Sequence, residues 1–396
     1  MNQYIIIRQI KVQNANAIAG FTWGFPAITH FLGFVHALTR KMASNHQFND
    51  VSLAGCAVIS HEYHHHVFGK YEKRFLQNKS QPYLYGTEKA KKSQTPPIIE
   101  EGKMNMTVSL VIPYSGTIGN RQDNFKEWLE KQCYLQRLAG GTILEIGDIS
   151  LQTFEKDSEV RAVMYRMLPG FVLMDRSNYL KEHYENLQKK NPNVELLDAW
   201  LDFSALKQKA RPKCALITKH LHALVKNNPQ KNLFLQIFSE WQDHLENPYE
   251  EGEIPSSVQS YFDQIEESKE NKKLLEQWKN YCNPNEKTES DWEYIPKPKS
   301  GYLVPIMTGY KAISKVYKNE EVANTRDNET DVCFVESVHS VGEWLSAHRI
   351  KTIKQLKESI WDYAYEENWY LCKQGVECQD DKKQNDLIKN DDNIYS

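Results

Sequence analysis

The chain has 396 residues, of which 40% are hydrophobic and 26% are charged, so it can form one large domain or two to three ordinary domains with packed cores. Its formal net charge of -3 excludes a uniformly basic surface. The sequence has no apolar run of about 18 residues. Its first residues also lack the basic region and the cleavage site of a signal peptide, so we predict no membrane association.

The cysteines also limit the class of protein. There are seven of them, an odd number, and no two have the CxxC spacing of a zinc site or a redox motif. The sequence therefore predicts no disulfide framework, no bound metal and a reducing, cytoplasmic environment. We expect the thiols to be small core residues.

Charge is distributed unevenly along the chain. Residues 1–239 contain 30 Lys and Arg against 20 Asp and Glu, whereas residues 240–293 contain 5 against 15. A basic front half followed by an acidic segment indicates a polyanionic partner for the front half. A solvated acidic helical surface that offsets lysine-rich loops explains the same counts, and charge alone leaves both explanations open.

The first seventy residues predict a strand, a helix and a second strand. Residues 4–12 (YIIIRQIKV) are β-rich, and residues 13–26 predict a loop of Asn, Gly and aromatic residues. Pro26 opens a segment whose apolar residues recur at helical spacing. Residues 51–67 (VSLAGCAVISHEYHHHV) predict the second strand, apolar at first and alternating later.

Residues 69–103 differ from their surroundings, because they are polar, carry eight Lys and Arg, and interleave Tyr and Phe. This composition predicts a long hairpin with a flexible, basic tip. Gly140 and Gly141 end the helix that is predicted at 122–138. The elements predicted beyond the hairpin are a strand, a helix, a strand, a helix and a strand, at 104–114, 122–138, 142–154, 157–167 and 168–176.

From about residue 177 to 290 the sequence becomes helical, with prolines separating segments rich in Leu, Glu, Lys and Gln. Loops and strands then return. Residues 339–364 predict a pair of helices, with Trp344 as a core residue, and residues 367–373 predict a strand. Residues 377–396 are poor in apolar side chains and predict disorder. The whole pattern indicates an α/β core interrupted by a helical insertion.

The densest group of titratable side chains runs from His61 to His66, and its imidazoles would suit a transition metal. In a strand, His64 and His66 share one face while His65 lies on the other, so only part of the group converges. We therefore expect structural or solvated histidines. The sequence has no phosphate-binding glycine loop and no nucleophile elbow, and it predicts no catalytic set.

Amide and aromatic side chains beside the first strand are the strongest candidates for nucleic-acid binding. Amides donate to and accept from base edges, and rings stack on bases with about 1–3 kcal/mol per base. An ordinary Asn-rich turn with Trp23 as its core anchor would contain the same residues. The stretch RLAGG (137–141) is either a glycine stop after a helix or a backbone that approaches a phosphate closely. The amide and aromatic candidates are Gln13, Asn14, Asn16, Trp23 and Phe25.

At these residues the sequence resembles the Csy-two (Cas-five-type) subunits of type I-F CRISPR surveillance complexes, also called Csy or Cascade complexes. The helical segment around 200–295 looks longer than that of the family, and the tail matches nothing in it. The matching segments occur in family order and are QNANAIAGFTWGFPAITHFLGFVHAL (13–38), IIEEGKMNMTVSL (98–110), RLAGGTIL (137–144), RMLPGFVLMDR (166–176), GYLVPIMTGYKAIS (301–314) and NTRDNETDVCFVESVHSVGEWLSAHR (324–349).

The resemblance implies an α+β fold with a ferredoxin-like, RRM-type core, an extended thumb-like β-hairpin and a helical insertion. The parts that it implies are the core at 1–176, the basic hairpin at 69–103 within it, the insertion at 177–297, acidic in its second half, a C-terminal part at 298–376 that returns to the core, and the disordered tail at 377–396.

The resemblance also implies a function. Family members do not cut RNA; with the large subunit they hold the 5′ handle of the crRNA. They start a filament of backbone subunits, near the place where the PAM on target DNA is read, and so support RNA-guided DNA recognition without a cofactor. The RNA-binding residues that it implies are Gln13, Asn14, Asn16, Trp23, Phe25, Arg40 just past the first helix, Arg137, Gly140 and Gly141, with Tyr310, Arg326, His348 and Arg349 facing RNA or the large subunit.

Two other functions remain open at the level of sequence. Some relatives in the wider Cas-five group cleave CRISPR repeat RNA, so the first alternative is a metal-independent endoribonuclease. Cleavage needs a general base, for which His36, His61 or His348 would serve, although no spacing demands it. The second alternative is an assembly adaptor with few RNA contacts of its own.

Overall fold

The computed structural model describes residues 2–70, 72–79, 98–228, 232–246, 254–325, 327 and 329–375 of the chain. These residues form two compact units, of which the first comprises the chain up to Ser204 and from Lys299 onward, and the second comprises Ala205–Pro298. Residues 71 and 80–97 of the predicted basic hairpin, the candidate Arg326 and the predicted disorder at 377–396 lie outside the described residues.

The helices follow the apolar periodicity of the sequence. In the first, apolar residues three and four apart form one buried face, and Arg40 and Lys41 occupy the last turn, where cations stabilise the negative end of the helix dipole. The described residues form ten α-helices, α1 to α10, which are Ile28–Ala43, Gln122–Tyr134, Asp157–Tyr165, Ser177–Lys190, Leu196–Ser204, Ala215–Asn227, Asn232–Glu246, Ser256–Asp263, Lys272–Cys282 and Ile353–Glu358.

The strands outnumber the helices and range from two to fourteen residues. All their pairings in the described residues are antiparallel. The predicted α+β class is therefore confirmed. The strands β1 to β20 are Gln3–Asn16, Ile18–Ala19, Thr22–Trp23, Ser52–Leu53, Ala57–His65, Val67–Phe68, Arg74–Phe75, Gln77–Lys79, Ile98–Glu100, Lys103–Ser115, Arg137–Leu138, Gly141–Glu145, Asp148–Thr153, Phe171–Asp175, Gln208–Pro212, Ser290–Tyr294, Leu303–Ala312, Val335–Ser346, Trp361–Glu366 and Trp369–Gln374.

Twelve of the strands form one sheet, in the order β11-β12-β1-β10-β5-β14-β18-β17-β20-β19, with β13 also on β1 and β4 on β10. The long strands β1, β10 and β5 are neighbours, and their register places Met104 between Ala15 and His65. The last residues of β1 and β5 and the first residues of β10 therefore meet at one end of the sheet. We call this end, formed by residues 13–16, 63–66 and 103–105, the rim.

Helices cover the two faces of the sheet to different extents. Ile5 and Ile7 of β1 pack in the cluster that includes α1 and α2, whereas Tyr4 and Ile6 pack in the cluster that includes α3 and α10. Burial on both faces explains why residues 4–7 of β1 are all apolar, because each fully buried side chain stabilises the fold by about 1.5–3 kcal/mol. On the face of α3 and α10, that cluster includes no residue of β1 beyond Ile6, so polar side chains line the remainder.

The segment 339–346 corrects one sequence prediction, because it is a strand and not the first of two helices. Strand β18 pairs with β14 and β17, so its backbone is satisfied on both sides. The only α-helix described between 339 and 364 is the short α10. Trp344 packs against the core as predicted, with its ring 4.8 Å from that of Phe25.

Two further boundaries differ from the sequence predictions. Strand β1 continues to Asn16, and β2 and β3 form a small hairpin where a loop was expected over 13–26. Helix α2 ends at Tyr134 rather than at residue 138, so Arg137 begins a strand. Residues 137 and 138 pair with β12, which itself pairs with β1, so they extend the sheet instead of continuing the helix.

The second unit has a core of its own. Helices α6 to α9 bury Trp241, Phe262 and Trp278, and the last two rings stack with centroids 4.2 Å apart. The β15–β16 ribbon is fixed by the buried Arg211, whose Nη2 donates to the carbonyl oxygen of Leu245 (2.8 Å). Helices α4 and α5, placed in the insertion by the sequence, belong to the first unit.

A membrane-spanning helix is not among the described elements, since none of these helices is both long and apolar enough to cross a bilayer.

Candidate nucleic-acid interface

The rim carries polar side chains from three strands on the face that α1 and α2 do not cover. Gln13 of β1 is exposed and pairs with Thr142 of β12, and its side chain makes no hydrogen bond within the described residues. The backbone N–H of Asn14 donates to Oδ1 of Asn105 (3.1 Å), and Asn105 lies opposite His64. We call Gln13, Asn14, Asn105 and His64 the amide edge.

A β-bulge in β1 produces this arrangement. The register between β1 and β10 shifts between Val12 and Ala15, and Asn14 adopts a left-handed φ of 57°. Asn tolerates this conformation better than most residues, because its short polar side chain bonds locally. Val12 and Ala15 are buried against the α1 side, so strand alternation directs Gln13 to the opposite face. The bulge therefore leaves two amides at the surface.

The RLAGG stretch is a tight hairpin turn and not a helix stop. Ala139 and Gly140 both have positive φ, 51° and 74°, as a two-residue turn between β11 and β12 requires. A Cβ on Gly141 would lie 2.6 Å from Cγ1 of Val12 and 2.7 Å from the carbonyl oxygen of Gln13. Nη1 of Arg137 donates back to the carbonyl oxygen of Gly140 (3.2 Å). This turn therefore allows β12 to lie close beside β1 at the amide edge.

Asn16 and Phe25 are held within the fold. The Asn16 side chain both donates to the carbonyl oxygen of Ile18 (2.9 Å) and accepts from its N–H (3.1 Å), so its amide closes a local turn. Phe25 stacks on Phe31 with centroids 5.5 Å apart and also contacts Trp344. The contacts described for both side chains are therefore internal to the fold.

Trp23, in contrast, lies at the surface. It is 46% exposed, so the alternative in which Trp23 anchors an ordinary turn in the core is wrong. Its ring contacts His65 and Phe75 edge-on, with centroids 5.3 and 5.2 Å away. Tyr63 is 54% exposed, and its ring lies 5.0 Å from His65. We call Trp23, Tyr63, His65 and Phe75 the aromatic surface.

The other predicted residues lie on different elements. Arg40 is in the last turn of α1 and not past its end, a correction to the sequence prediction. Tyr310 packs against the small cluster of Ala19, Ala27 and Met307. His348, in the turn after β18, accepts or donates at Nδ1 with Oγ of Ser346 (2.8 Å), and its neighbour Arg349 is exposed. The structure does not bring these residues into the amide edge.

The histidine cluster divides as alternation predicts, and His61 is an internal bracing residue. Its Nδ1–H donates to the carbonyl oxygen of Pro169 (2.8 Å), so its Nε2 accepts from the hydroxyl of the fully buried Ser109 (2.6 Å). Ser109 Oγ accepts in turn from the N–H of Gln9 (3.0 Å). Burial, with the nearby Arg8 charge, lowers the pKa of His61. No group of three metal ligands occurs in the described part of the chain.

Sequence reasoning missed Asn105 and Tyr63. Asn105 alternates with the buried Met104 and Met106, whereas Tyr63 shares its face of β5 with His65. The sequence showed only that each residue stands on a predicted strand, and their neighbours follow from the register, which places β10 between β1 and β5. Period-two alternation identifies exposed positions without identifying their neighbours.

Two comparisons place the chain among known proteins. The profile of the family described as "CRISPR-associated protein (Cas_Csy2)" matches residues 5–232 and 252–372, so most of the second unit lies within the family after all. The chain is also similar to "CRISPR-associated protein Csy2" of Pseudomonas aeruginosa (strain UCBPP-PA14), with 27% identity over 373 residues and 89% of each chain covered. The resemblance noted in the sequence is confirmed: this chain belongs to the Csy2 family of type I-F CRISPR systems.

Proposed function

We propose that this chain is a non-catalytic crRNA-binding subunit that caps the 5′ handle together with the large subunit. A backbone subunit would follow it along the spacer, and target DNA would be read nearby at the PAM. Membership of the Csy2 family gives the chain a role in a CRISPR Csy complex. The handle contact is the step that we add, and the amide edge is the observation that carries it.

The topology supports a ferredoxin-like, RRM-type core. The chain order β1-α1-β5-β10-α2-β13 is a βαββαβ sequence, and the corresponding sheet order is β13-β1-β10-β5. Helices α1 and α2 pack on one face of these strands. The basic segment 69–103 joins β5 to β10, the position that a thumb-like hairpin would occupy. RRM-type modules use the sheet face that is free of helices to bind single-stranded RNA.

The amide edge has the chemistry for reading bases. The exposed Gln13 side chain offers a carbonyl acceptor and an amide donor, and Asn105 and His64 add polar groups on the neighbouring strands. All stand on strands rather than on loops, so little conformational entropy is lost when they bind. Handle bases splayed out from a single strand would present their edges to these groups.

The endoribonuclease alternative finds little support in the described residues. A general base needs a ring nitrogen within reach of the substrate hydroxyl, and both nitrogens of His61 are engaged inside the protein. His348 shares Nδ1 with Ser346. Incubating the purified chain with precursor repeat RNA tests the alternative directly, and a discrete cut that disappears in His348→Ala would favour it.

The test of handle binding is co-expression of the tagged chain with its neighbouring CRISPR subunits, followed by sequencing of the bound RNA. We expect one crRNA with a fixed 5′ end in stoichiometric amount, together with the large subunit. Gln13→Ala should weaken handle binding about three- to tenfold, the size of one neutral hydrogen bond. Gln208→Ala, an exposed strand glutamine of the second unit, is the matched control and should leave binding unchanged.

Two outcomes would contradict the proposal. Recovery of the chain without RNA would remove the capping role. An equal loss of affinity by Gln13→Ala for the handle and for an unrelated RNA of the same length would remove base reading. Asn16→Ala separates stability from recognition, because its amide closes a turn: it should lower the unfolding midpoint and change RNA selectivity little.

A further inference from the structure

We propose that the aromatic surface is a second nucleic-acid contact, which stacks on an unpaired base of the crRNA on the face of the sheet opposite to the amide edge. This inference rests on the proposed function, since the ligand is the same RNA strand. It adds a site, a mode of contact and a path for the strand around the rim. The occupant is a single-stranded nucleobase.

The placement of the aromatic surface follows from strand register. Tyr63 pairs with Met106 and His65 pairs with Met104, and both methionines are buried in the cluster of α1 and α2. Paired residues in antiparallel strands share a face, so Tyr63 and His65 lie on the α1 side. Asn105, between the two methionines, lies on the other side with the amide edge. The two sites are therefore back to back at the rim.

The rings of the aromatic surface are held in place. Nε2 of His65 donates to the carbonyl oxygen of Gly24 (2.6 Å), which ties β5 to the residue after Trp23. The Trp23 ring meets His65 at 86° and Phe75 at 76°. Because Trp23 is 46% exposed despite these two contacts, part of its indole is open to a stacking base. Pre-positioned rings lose little rotamer freedom when a base binds.

The charge of the chain segment that contains Phe75 favours a nucleic acid over a protein. The segment 69–103, which enters and leaves the sheet here, carries eight Lys and Arg against four Asp and Glu. Phe75, a member of the surface, belongs to this segment and neighbours Arg74 of the same strand. Aromatic rings set among basic side chains are the usual surface for single strands, because rings stack on bases while cations meet phosphates.

Stacking and edge reading make different demands on sequence. Every base has a π-face, so a stacked position tolerates any base, whereas an edge-read position does not. The handle should therefore contain at least one position that is bound tightly without preference for its base. The RNA between this stacked position and the bases at the amide edge would bend around residues 13–16 and 103–105.

The experiment uses the assembled complex with 2-aminopurine placed at one handle position per sample, because stacking quenches its fluorescence. We expect one position to be quenched in the wild type. Trp23→Ala and Tyr63→Ala should relieve the quenching there and weaken RNA binding about five- to hundredfold, whereas Trp23→Phe should preserve both. Trp292→Ala, a surface tryptophan of the second unit that is 67% exposed, is the matched control.

Each outcome decides the matter. Relief of quenching at one position, with tolerance to every base there, supports stacking. Unchanged fluorescence at all positions in folded Trp23→Ala and Tyr63→Ala overturns it and leaves handle capping intact. Loss of a protein subunit with RNA retained would also overturn it, because the surface would then dock protein. A wild-type complex that carries no RNA would overturn both proposals.

Discussion

Single residues at the rim show how the same residue type serves either the fold or the surface. Asn14 and Asn16 are two positions apart. The Asn16 side chain hydrogen-bonds the backbone of Ile18, whereas Asn14 adopts the left-handed backbone conformation of the bulge. Gln13, directly before Asn14, remains exposed. Composition predicts the presence of such amides, but only the backbone path decides which of them is available for a ligand.

Gly140 and Gly141 give a testable contrast, because the two glycines are needed for different reasons. Gly140 has a left-handed φ of 74° with open space around it, so Gly140→Ala should cost about 1–2 kcal/mol in unfolding free energy. A Cβ on Gly141 would meet backbone atoms of β1 at 2.7 and 2.8 Å, which cannot move aside. Gly141→Ala should therefore be clearly more destabilising and should also disturb handle binding.

Chemical denaturation of the two glycine variants measures this difference, and Gly140→Asn is the control that restores the left-handed turn. Equal destabilisation by Gly140→Ala and Gly141→Ala would contradict the close approach of β12 to β1. At this scale the sequence predicted the glycines as a helix stop, because a turn between two short strands has no periodic signal of its own.

At the scale of elements, long apolar strands were predictable and their neighbours were not. The runs that became β1, β5 and β10 are recognisable from composition and alternation, since burial demands apolar residues there. The strand β18 was mistaken for a helix, because one partner, β14, lies far away in sequence and residues 313–334 separate it from the other, β17. Pairing over such distances overrides local propensity, which is a weak guide for a strand.

The His61 network joins β5, β10 and β1 and gives the sheet a pH dependence. The pKa of His61 is lowered in the folded state by burial, whereas the unfolded chain has the ordinary value of about 6.5. The unfolded chain therefore binds the proton more tightly, and stability should fall as the pH drops through about 6.5 toward the folded-state pKa.

Denaturation at pH 7.5 and 5.5 tests this coupling. His61→Gln should narrow the difference in unfolding free energy between the two conditions while keeping a donor and an acceptor at the site. Part of the difference should persist, since burial also lowers the pKa of His220 and His339. If the unfolding free energy of His61→Gln depended on pH as strongly as that of the wild type, protonation of His61 would not contribute to the pH dependence.

At the scale of the whole molecule, the chain divides into a sheet unit that carries every candidate RNA contact within the described residues and a helical unit with a separate core. The sequence predicted a helical insertion, but not that α4 and α5 belong with the sheet. Their apolar faces resemble those of the following helices, and only packing distinguishes them: Nε1 of Trp200 in α5 donates to the carbonyl oxygen of Ser340 in β18 (3.1 Å).

This division predicts that damage to one core leaves the other intact. Trp278 is buried and stacks on Phe262, so Trp278→Ala should cost the second unit about 3–5 kcal/mol. Hydrogen exchange on the full chain should then show faster exchange for amides of α6 to α9, while those of β1 and β10 keep their protection. Handle binding should persist, because no residue of the amide edge or the aromatic surface belongs to that unit. Loss of protection in β1 as well would mean that the two cores unfold together, and the second unit would then stabilise the sheet that we propose binds RNA.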